Sequence, residues 1–366
     1  MPEPTAQSEP VSLVDAIVLA GTHGARPFEI NGRVIGKPYL TLGGEPLVLR
    51  AVRAVLESKR VGQVFVVGDV ELLTRALEPL PASARDRLQL VQEGSDILDN
   101  CYRAFFLHLL PERGLPAVES PQFDYAIMSD YQKRHPEAAS VSALFMCSDL
   151  PFIRATDIDS FLAETEANVT LTFGLVDHRS LERLHSEVRT FGALETLKLG
   201  ALLLREHAVR INNLFLVRPL RADPVLYESL KDLYYHRNLL TSAGRVSWQN
   251  WWAIGRSILR HSRKVRRPLR FVRGLIGLVA AILALTLARS AYRISRSLSR
   301  PFRMLIGQHD IEFTLSLLTD TPVRLNVNPR LGPAIDIDVE ESYQTLARHG
   351  EENFQRVVRY LNDHAS

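Results

Sequence analysis

Short apolar runs alternate with amphipathic stretches from residue 14 to about residue 180, which predicts strands alternating with helices. The apolar runs predict strands at residues 14–20, 64–67, 88–92, 141–147 and 169–176. Helical spacing of apolar residues predicts helices at 46–58, 71–77 and 97–110. Near the C-terminus, the pattern predicts strands at 323–327 and 334–339 and helices at 340–347 and 352–361. This order predicts a mainly parallel, three-layer α/β sheet, whose ligands bind beyond the carboxyl ends of the strands.

The pattern changes after about residue 240. Trp248, Trp251 and Trp252 are the only three tryptophans of the chain, and a charge-free apolar run covers residues 274–288. No acidic residue lies between Asp232 and Asp310, whereas those 77 residues carry 15 lysines and arginines. The other 289 residues carry 29 basic and 41 acidic residues. The formal net charge of +3 is therefore the sum of a negative part and a positive segment. A basic segment of this kind predicts an anionic partner.

The apolar run is short for a membrane span. Its 15 residues would form a helix of about 22 Å, against a hydrocarbon core of about 30 Å. A spanning helix would also place residues 310–361 across the membrane from the rest of the chain. We therefore expect a monotopic helix or re-entrant hairpin, with residues 248–303 on an anionic membrane surface. A spanning helix and a buried or homodimer-forming helix are the alternatives, and no nucleic-acid-binding motif is present.

Composition limits the class of protein. The chain has 366 residues, of which 46% are hydrophobic and 23% are charged, which excludes a wholly disordered or fibrous protein. Two cysteines, Cys101 and Cys147, cannot form a disulfide framework and suit the cytoplasm. Residues 1–10 lack the features of a signal peptide and are expected to form a disordered tail. We predict one domain, made of residues 11–240 and 306–366, with a helical insertion at 241–305.

Glycines and basic residues follow the first predicted strand in a fixed order. The strand leads into LAGTHGAR at residues 19–26, followed by Lys37-Pro38 and by Gly43-Gly44-Glu45-Pro46. Glycines after a strand let backbone N–H groups approach phosphates, and arginine and lysine neutralise them. This stretch resembles the signature of MobA-like nucleotidyltransferases, LAGG-x-G-x-R followed by K-P and G-x-P. Thr22 replaces the second glycine of that signature, and no Walker A loop is present.

The resemblance assigns roles to individual residues. It implies a Rossmann-like, GT-A-like fold in which Asp149, in an Asp-x-Pro motif, binds Mg²⁺ together with Asp338. Arg26, Lys37 and Asp149 are the expected catalytic residues. The expected nucleotide-binding residues are Leu19, Ala20, Gly21, Thr22, Gly24, Arg26, Lys37, Gln92, Gly94 and Asn100. Asn212 and Asn213 are expected to contact the acceptor. From the residues alone, Asp149 could instead form an Asx turn and Asp338 could cap a helix.

The implied reaction transfers NMP from an NTP to a phosphorylated small-molecule or lipid-linked acceptor and releases pyrophosphate. We expect it at the inner face of the cell membrane, on a cytoplasmic, peripheral or monotopic protein. A GT-A-type glycosyltransferase that uses an NDP-sugar is one alternative. A non-catalytic, membrane-associated nucleotide-binding protein is the other.

Overall fold

The computed structural model describes residues 13–23, 27–30, 32–189, 202–224, 227, 267–337, 340–348 and 350–363. Its strands are β1 (Val14–Leu19), β2 (Phe28–Ile30), β3 (Arg33–Ile35), β4 (Thr41–Leu42), β5 (Glu45–Pro46), β6 (Val61–Gly68), β7 (Leu88–Gln92), β8 (Ala143–Cys147), β9 (Leu171–Asp177), β10 (Leu202–Leu203), β11 (Ala208–Val217) and β12 (Val323–Asn328). Its helices are α1 (Leu47–Glu57), α2 (Val70–Ala76), α3 (Ala82–Arg85), α4 (Ile97–Tyr102), α5 (Leu110–Glu112), α6 (Tyr125–Arg134), α7 (Ala155–Ala163), α8 (His178–Arg189), α9 (Pro268–Ile294), α10 (Arg296–Arg303), α11 (Gln308–Thr319), α12 (Glu340–Arg348) and α13 (Gly350–Asp363). A π-helical segment, Arg103–Leu109, joins α4 to α5.

The main sheet is mixed and mostly parallel. Its strand order is β12-β9-β11-β8-β1-β6-β7, and β10 pairs with β11. Strand β11 runs antiparallel to both of its neighbours, β8 and β9, while β8, β1, β6 and β7 form consecutive parallel pairs. The α/β prediction is therefore confirmed, with β11 as the antiparallel exception.

Strand β1 shows why helices cover both faces of the sheet. Ala16 and Val18 point to a core cluster that contains α1, α2 and α7, whereas Ile17 points to a second cluster built on the π-helical segment and α6. All three side chains are 0% exposed. Because side chains alternate across a strand, a continuous apolar run such as this one must be buried on both faces.

Helix α9 is much longer than the charge-free run that it contains. It has 27 residues, or about 40 Å at the usual rise, because the arginine-bearing flanks are helical as well. The helix is therefore long enough to span a membrane, contrary to the expectation from the apolar run. Within Pro268–Tyr292, an 18-residue window has a mean hydropathy of 2.2, so the helix could cross a membrane by length and composition alone.

One face of α9 is packed against the domain. Ala281 and Ala284 are buried in a cluster with side chains of the main sheet and its connections: Leu175, Leu204, Val209, Ile306 and Leu325. Small residues let the helix approach the sheet closely. The opposite face carries exposed apolar side chains: Leu269, Val272, Ile276, Val279, Leu283 and Leu287.

Glycine is required at position 174 of β9. A Cβ atom built there would lie 2.0 Å from the Oδ1 atom of Asn212, a side chain that is buried in the neighbouring strand. We predict that Gly174→Ala lowers the free energy of unfolding by about 1–3 kcal/mol, the usual cost of overpacking a core. Urea denaturation followed by circular dichroism measures it. In an Asn212→Ala background the same substitution should cost clearly less, and an equal cost in both backgrounds would contradict this contact.

Candidate functional site

The carboxyl ends of the parallel strands form one edge of the sheet. The carbonyl of Leu19, the last residue of β1, accepts the backbone N–H of Ser148 at 3.1 Å. On the other side of β1, the N–H of Ala20 is donated to the carbonyl of Val67 in β6 at 2.8 Å. The segments that follow β1, β6 and β8 therefore start side by side, with the predicted residues Leu19 and Ala20 between them.

The loop after β1 is held by a buried carboxylate from the end of β7. The backbone N–H groups of Thr22 and His23 donate to Oε2 of Glu93, at 2.5 and 3.2 Å. The hydroxyl of Thr22 donates to Oε1 of Glu93 at 2.9 Å, and Nδ1 of His23 lies 3.2 Å from the same oxygen. The Glu93 side chain is only 2% exposed. The two donors that follow Gly21 are thus engaged with an internal anion.

The expected nucleotide-binding residues after β7 lie against the same loop. A Cβ atom on Gly21 would lie 2.3 Å from Nδ2 of Asn100, so only glycine lets the loop approach this closely. Oδ1 of Asn100 accepts the N–H of Gly94 at 2.6 Å. Gln92 accepts the N–H of Val70, at the start of α2, at 3.4 Å. The fold therefore brings Gly21, Thr22, Gly94 and Asn100 together. Gly24 and Arg26 lie outside the described residues.

Lys37 and Asp149 converge at the same edge. Lys37 begins a short 3₁₀ turn, Lys37–Tyr39, and its Nζ atom lies 3.8 Å from Oδ2 of Asp149. The two side chains are 19% and 18% exposed, so both groups remain accessible. Gly36, just before this turn, lies against the methyl group of Thr22, which joins the turn to the loop after β1.

The segment before α12 is not the strand that its alternation predicted. Gly332–Ala334 form a 3₁₀ turn, and residues 335–337 are extended without pairing in the sheet. Proline at position 333 has no N–H to donate, and the N–H of Ile337 is donated to the carbonyl of Asp149 at 3.2 Å instead. The side-chain alternation itself holds, because Ile335 and Ile337 are both 1% exposed while Asp336 points the other way. Asp338 lies outside the described residues.

The two asparagines of β11 have different environments. Asn212 is 1% exposed, and its Oδ1 atom accepts the N–H of Leu214 within an irregularity of the β9–β11 pairing. Asn213 adopts the left-handed conformation, with φ at 59°, and its Nδ2 atom lies 3.4 Å from Oδ2 of Asp336. Of the two predicted acceptor contacts, Asn213 is the one placed toward the segment that contacts Asp149.

Sequence reasoning missed Arg210. Its guanidinium pairs with Oδ1 of Asp336 through a short hydrogen bond, and the two side chains are 13% and 15% exposed. The available signal was the one charged residue of β11, next to the buried Val209. Without the fold, nothing tied Arg210 to a carboxylate 126 residues later.

Acidic side chains dominate the region around the ends of β6 and β7. Burial raises the pKa of the Tyr39 phenol, and the carboxylates of Glu93 and Asp69 raise it further. Asp69 accepts the N–H of Leu72 as the N-cap of α2. A nucleotide entering here needs cationic groups to offset these negative charges.

The side chains at this edge include the carboxylate oxygens that magnesium prefers as ligands. Mg²⁺ prefers oxygen ligands and is commonly held by one or two carboxylates together with substrate phosphates. Asp149 supplies an accessible carboxylate, and the backbone next to Asp338 is hydrogen-bonded to Asp149 through Ile337. Within the described ranges, no group of three or more histidine, cysteine or acidic side chains could hold a metal by itself.

A family model decides the relationship. The MobA-like NTP transferase domain matches residues 16–211, more than half of the chain. The chain belongs to the MobA-like NTP transferase family. The match covers the loop after β1, Lys37, Glu93, Asn100, Asp149 and Arg210, while Asn212, Asn213 and the segment around Asp336 lie beyond it.

One solved structure has a similar fold at a TM-score of 0.50, and two further matches have lower scores. A hypothetical transferase from Thermus thermophilus is 16% identical, with a TM-score of 0.50, over 90% of this chain and 99% of that one. A nucleotidyl transferase from Methanothermobacter thermautotrophicus is 12% identical, with a TM-score of 0.36, over 94% of this chain and 98% of that one. The 4-diphosphocytidyl-2C-methyl-D-erythritol synthase from Anaerococcus prevotii is 10% identical, with a TM-score of 0.38, over 96% of each chain. None of the curated proteins matches the chain in sequence.

Because Asn213 adopts the left-handed conformation, two substitutions can distinguish its effect on the backbone from the effect of its side chain. An alanine pays about 1–2 kcal/mol in this conformation, whereas glycine does not. We predict that Asn213→Ala is less stable than Asn213→Gly by about 1 kcal/mol, measured by urea denaturation. Both variants lack the amide, so their kinetic constants for an acceptor should change equally. A Gly variant no more stable than the Ala variant would contradict the backbone assignment.

Proposed function

We propose that this MobA-like transferase moves an NMP group from an NTP to a phosphorylated acceptor and releases pyrophosphate. The observation that carries the proposal is the approach of Lys37 Nζ to Asp149 Oδ2, at 3.8 Å, beside the glycine loop after β1. One cation and one carboxylate at the same sheet edge provide both elements that the reaction requires: a group for triphosphate charge and a ligand for a divalent cation.

In the proposed reaction, an oxygen of the acceptor phosphate attacks the α-phosphorus of the NTP, and the bond from that phosphorus to the pyrophosphate oxygen breaks. The acceptor phosphate is already ionised, so no strong general base is needed. Lys37 and Arg26 would offset the negative charge of the triphosphate and of the leaving pyrophosphate. Asp149 and Asp338 would hold Mg²⁺, which supplies further charge neutralisation when bound.

We assign the acceptor side to β11, where it meets the segment that contacts Asp149. Asn213 and Arg210 both lie on β11 and both contact Asp336. The next residue, Ile337, donates its N–H to the carbonyl of Asp149. A guanidinium and an amide suit the recognition of an acceptor phosphate and its hydroxyl groups. Small-molecule and lipid-linked phosphates share this chemistry.

We predict that Asp149→Asn and Lys37→Met each lower kcat/KM by at least 100-fold, because each removes a charge from the reacting groups. The assay measures pyrophosphate from each of the four NTPs, with Mg²⁺ and a panel of phosphorylated acceptors. Asp130→Asn and Lys133→Met are the matched controls, because both residues lie exposed on α6. Turnover of an NDP-sugar without pyrophosphate would instead indicate a glycosyltransferase. Absence of any turnover by the wild-type protein would favour a non-catalytic role.

We further propose that the protein works on the inner face of the cell membrane, with the exposed face of α9 lying in the interface. The six exposed apolar residues of that face, Leu269 to Leu287, recur every three or four positions and so form one stripe along the helix. More exposed apolar side chains follow on nearby elements: Leu298, Met304, Leu305 and Phe313. The opposite face of α9 is packed on the sheet, so the helix would lie along the surface rather than cross it.

The charge of this region favours a membrane over a second copy of the chain. The 77 residues between Asp232 and Asp310 have 15 basic residues and no acidic one, so two copies would bring like charges together. Anionic headgroups would be attracted by the same arginines. Arg289 and Arg300 are exposed on α9 and α10. A membrane location suits an amphiphilic or lipid-linked acceptor.

We predict that the double substitution Ile276→Asp and Leu283→Asp lowers the partition coefficient for anionic vesicles at least tenfold. Burying each of these side chains contributes about 1.5–3 kcal/mol, and the aspartates add repulsion. Co-sedimentation with phosphatidylcholine vesicles, with and without about 30 mol% phosphatidylglycerol, measures the effect. Leu72→Asp, an exposed leucine on α2, is the control.

Two results would contradict this location. One is retention of vesicle binding by the double variant. The other is a concentration-dependent dimer, seen by analytical ultracentrifugation without lipid, that the same variant abolishes. The variant should keep wild-type turnover of a soluble acceptor, which separates membrane docking from catalysis.

A further inference from the structure

Glu93 uses its carboxylate differently from the acidic residues around it. Asp69 and Asp96 cap the N-termini of α2 and α4 through hydrogen bonds to nearby backbone N–H groups. Asp99 accepts the N–H of Ser95 and lies 3.3 Å from Arg103. These three carboxylates thus stabilise their own helix starts. Glu93 instead reaches a loop about 70 positions earlier in the chain.

The loop that Glu93 binds has the geometry of an anion site. Two successive N–H groups, of Thr22 and His23, converge on a single carboxylate oxygen, and the Thr22 hydroxyl binds the other oxygen. Successive N–H groups that converge in this way form an anion-binding concavity. The carboxylate therefore fills a position that a nucleotide oxygen would need in order to be bound by these same donors.

Glu93 and a nucleotide cannot share this position. Each N–H group makes one strong hydrogen bond, and a phosphate next to a buried carboxylate would be repelled. There is also no free volume above Gly21, because a Cβ atom there would lie 2.9 Å from the Glu93 carboxylate and closer still to Asn100. The negative charge of Asp69, which acts on Tyr39 together with Glu93, adds to the repulsion.

We propose that Glu93 is an internal anion that closes the nucleotide loop, and that an NTP binds by replacing its carboxylate on the N–H groups of Thr22 and His23. The inference rests on the proposed nucleotide site but not on the identity of the acceptor. Glu93 is then a gating residue: it stabilises the nucleotide-free protein and weakens nucleotide binding by the same interaction.

Glu93→Gln tests the idea because it keeps the size of the side chain and one accepting oxygen but removes the charge. The probes are inorganic tripolyphosphate and the four NTPs, each with Mg²⁺, titrated calorimetrically into the full-length protein. We expect the variant to bind the probes at least tenfold more tightly than wild type, and to have a lower Tm without ligand. Glu71→Gln is the matched control, because Glu71 is an exposed acid of α2 that pairs with Arg75.

Thr22→Val provides a second variant should Glu93→Gln fold poorly. It removes only the hydroxyl bond to Oε1 of Glu93, so a smaller gain in tripolyphosphate affinity is expected. Weaker or unchanged binding by both variants would overturn the proposal. If the Glu93 carboxylate recognises the nucleotide or only shapes the loop, its removal gives no gain in affinity. Tripolyphosphate bound by neither wild type nor variant would overturn it as well.

The same titrations separate this inference from the proposed reaction. Tighter tripolyphosphate binding by Glu93→Gln, without turnover of any NTP by either protein, would support the gate and reject the transferase activity. Turnover by wild type together with weaker binding by Glu93→Gln would support the reaction and reject the gate.

Discussion

Hydrogen bonding on both sides of β1 sets the position of everything at the candidate site. This strand is paired with β8 on one side and β6 on the other, in parallel register along its length. Parallel pairing makes the three strands end at the same edge, so the loop after β1 and Asp149 leave the sheet together. Residues 16–19 of β1 are apolar on both faces, so a helical layer packs against each.

The edge that results is divided by charge. Acidic groups, including Glu93 and Asp69, surround the ends of β6 and β7, whereas Lys37 lies on the side of Asp149. Nearby cations raise the affinity of a protein for a triphosphate, and nearby carboxylates lower it. The loop donors satisfy the Glu93 carboxylate when no ligand is bound, which matters because a buried, unpaired carboxylate is costly.

Helix α9 has one face packed on the sheet and one exposed apolar face. Its small residues, Ala281 and Ala284, are covered by the sheet, while the stripe from Leu269 to Leu287 is exposed. Arg267 and Arg270 at its start pair with Asp320 at the end of α11, which ties the helix to the acidic part of the chain. Helix α9 is thus joined to the sheet by packing and to the end of α11 by ion pairs, not through the chain connection alone.

The sequence by itself determined the class of fold and the strand after which the glycine loop begins, because periodicity, turn residues and a family-like motif are local properties. It named Lys37 and Asp149 as separate candidate residues and did not predict that they meet. It also indicated the boundary of the basic segment. Only the tertiary structure decided that Ile337 binds the Asp149 carbonyl instead of joining the sheet, that Arg210 faces Asp336, and that Glu93 holds the loop after β1. These contacts join residues about 70 to 190 positions apart, and no local pattern encodes which distant donor will meet a given carboxylate or carbonyl. That choice follows from strand order and from the need to satisfy polar groups once they are buried.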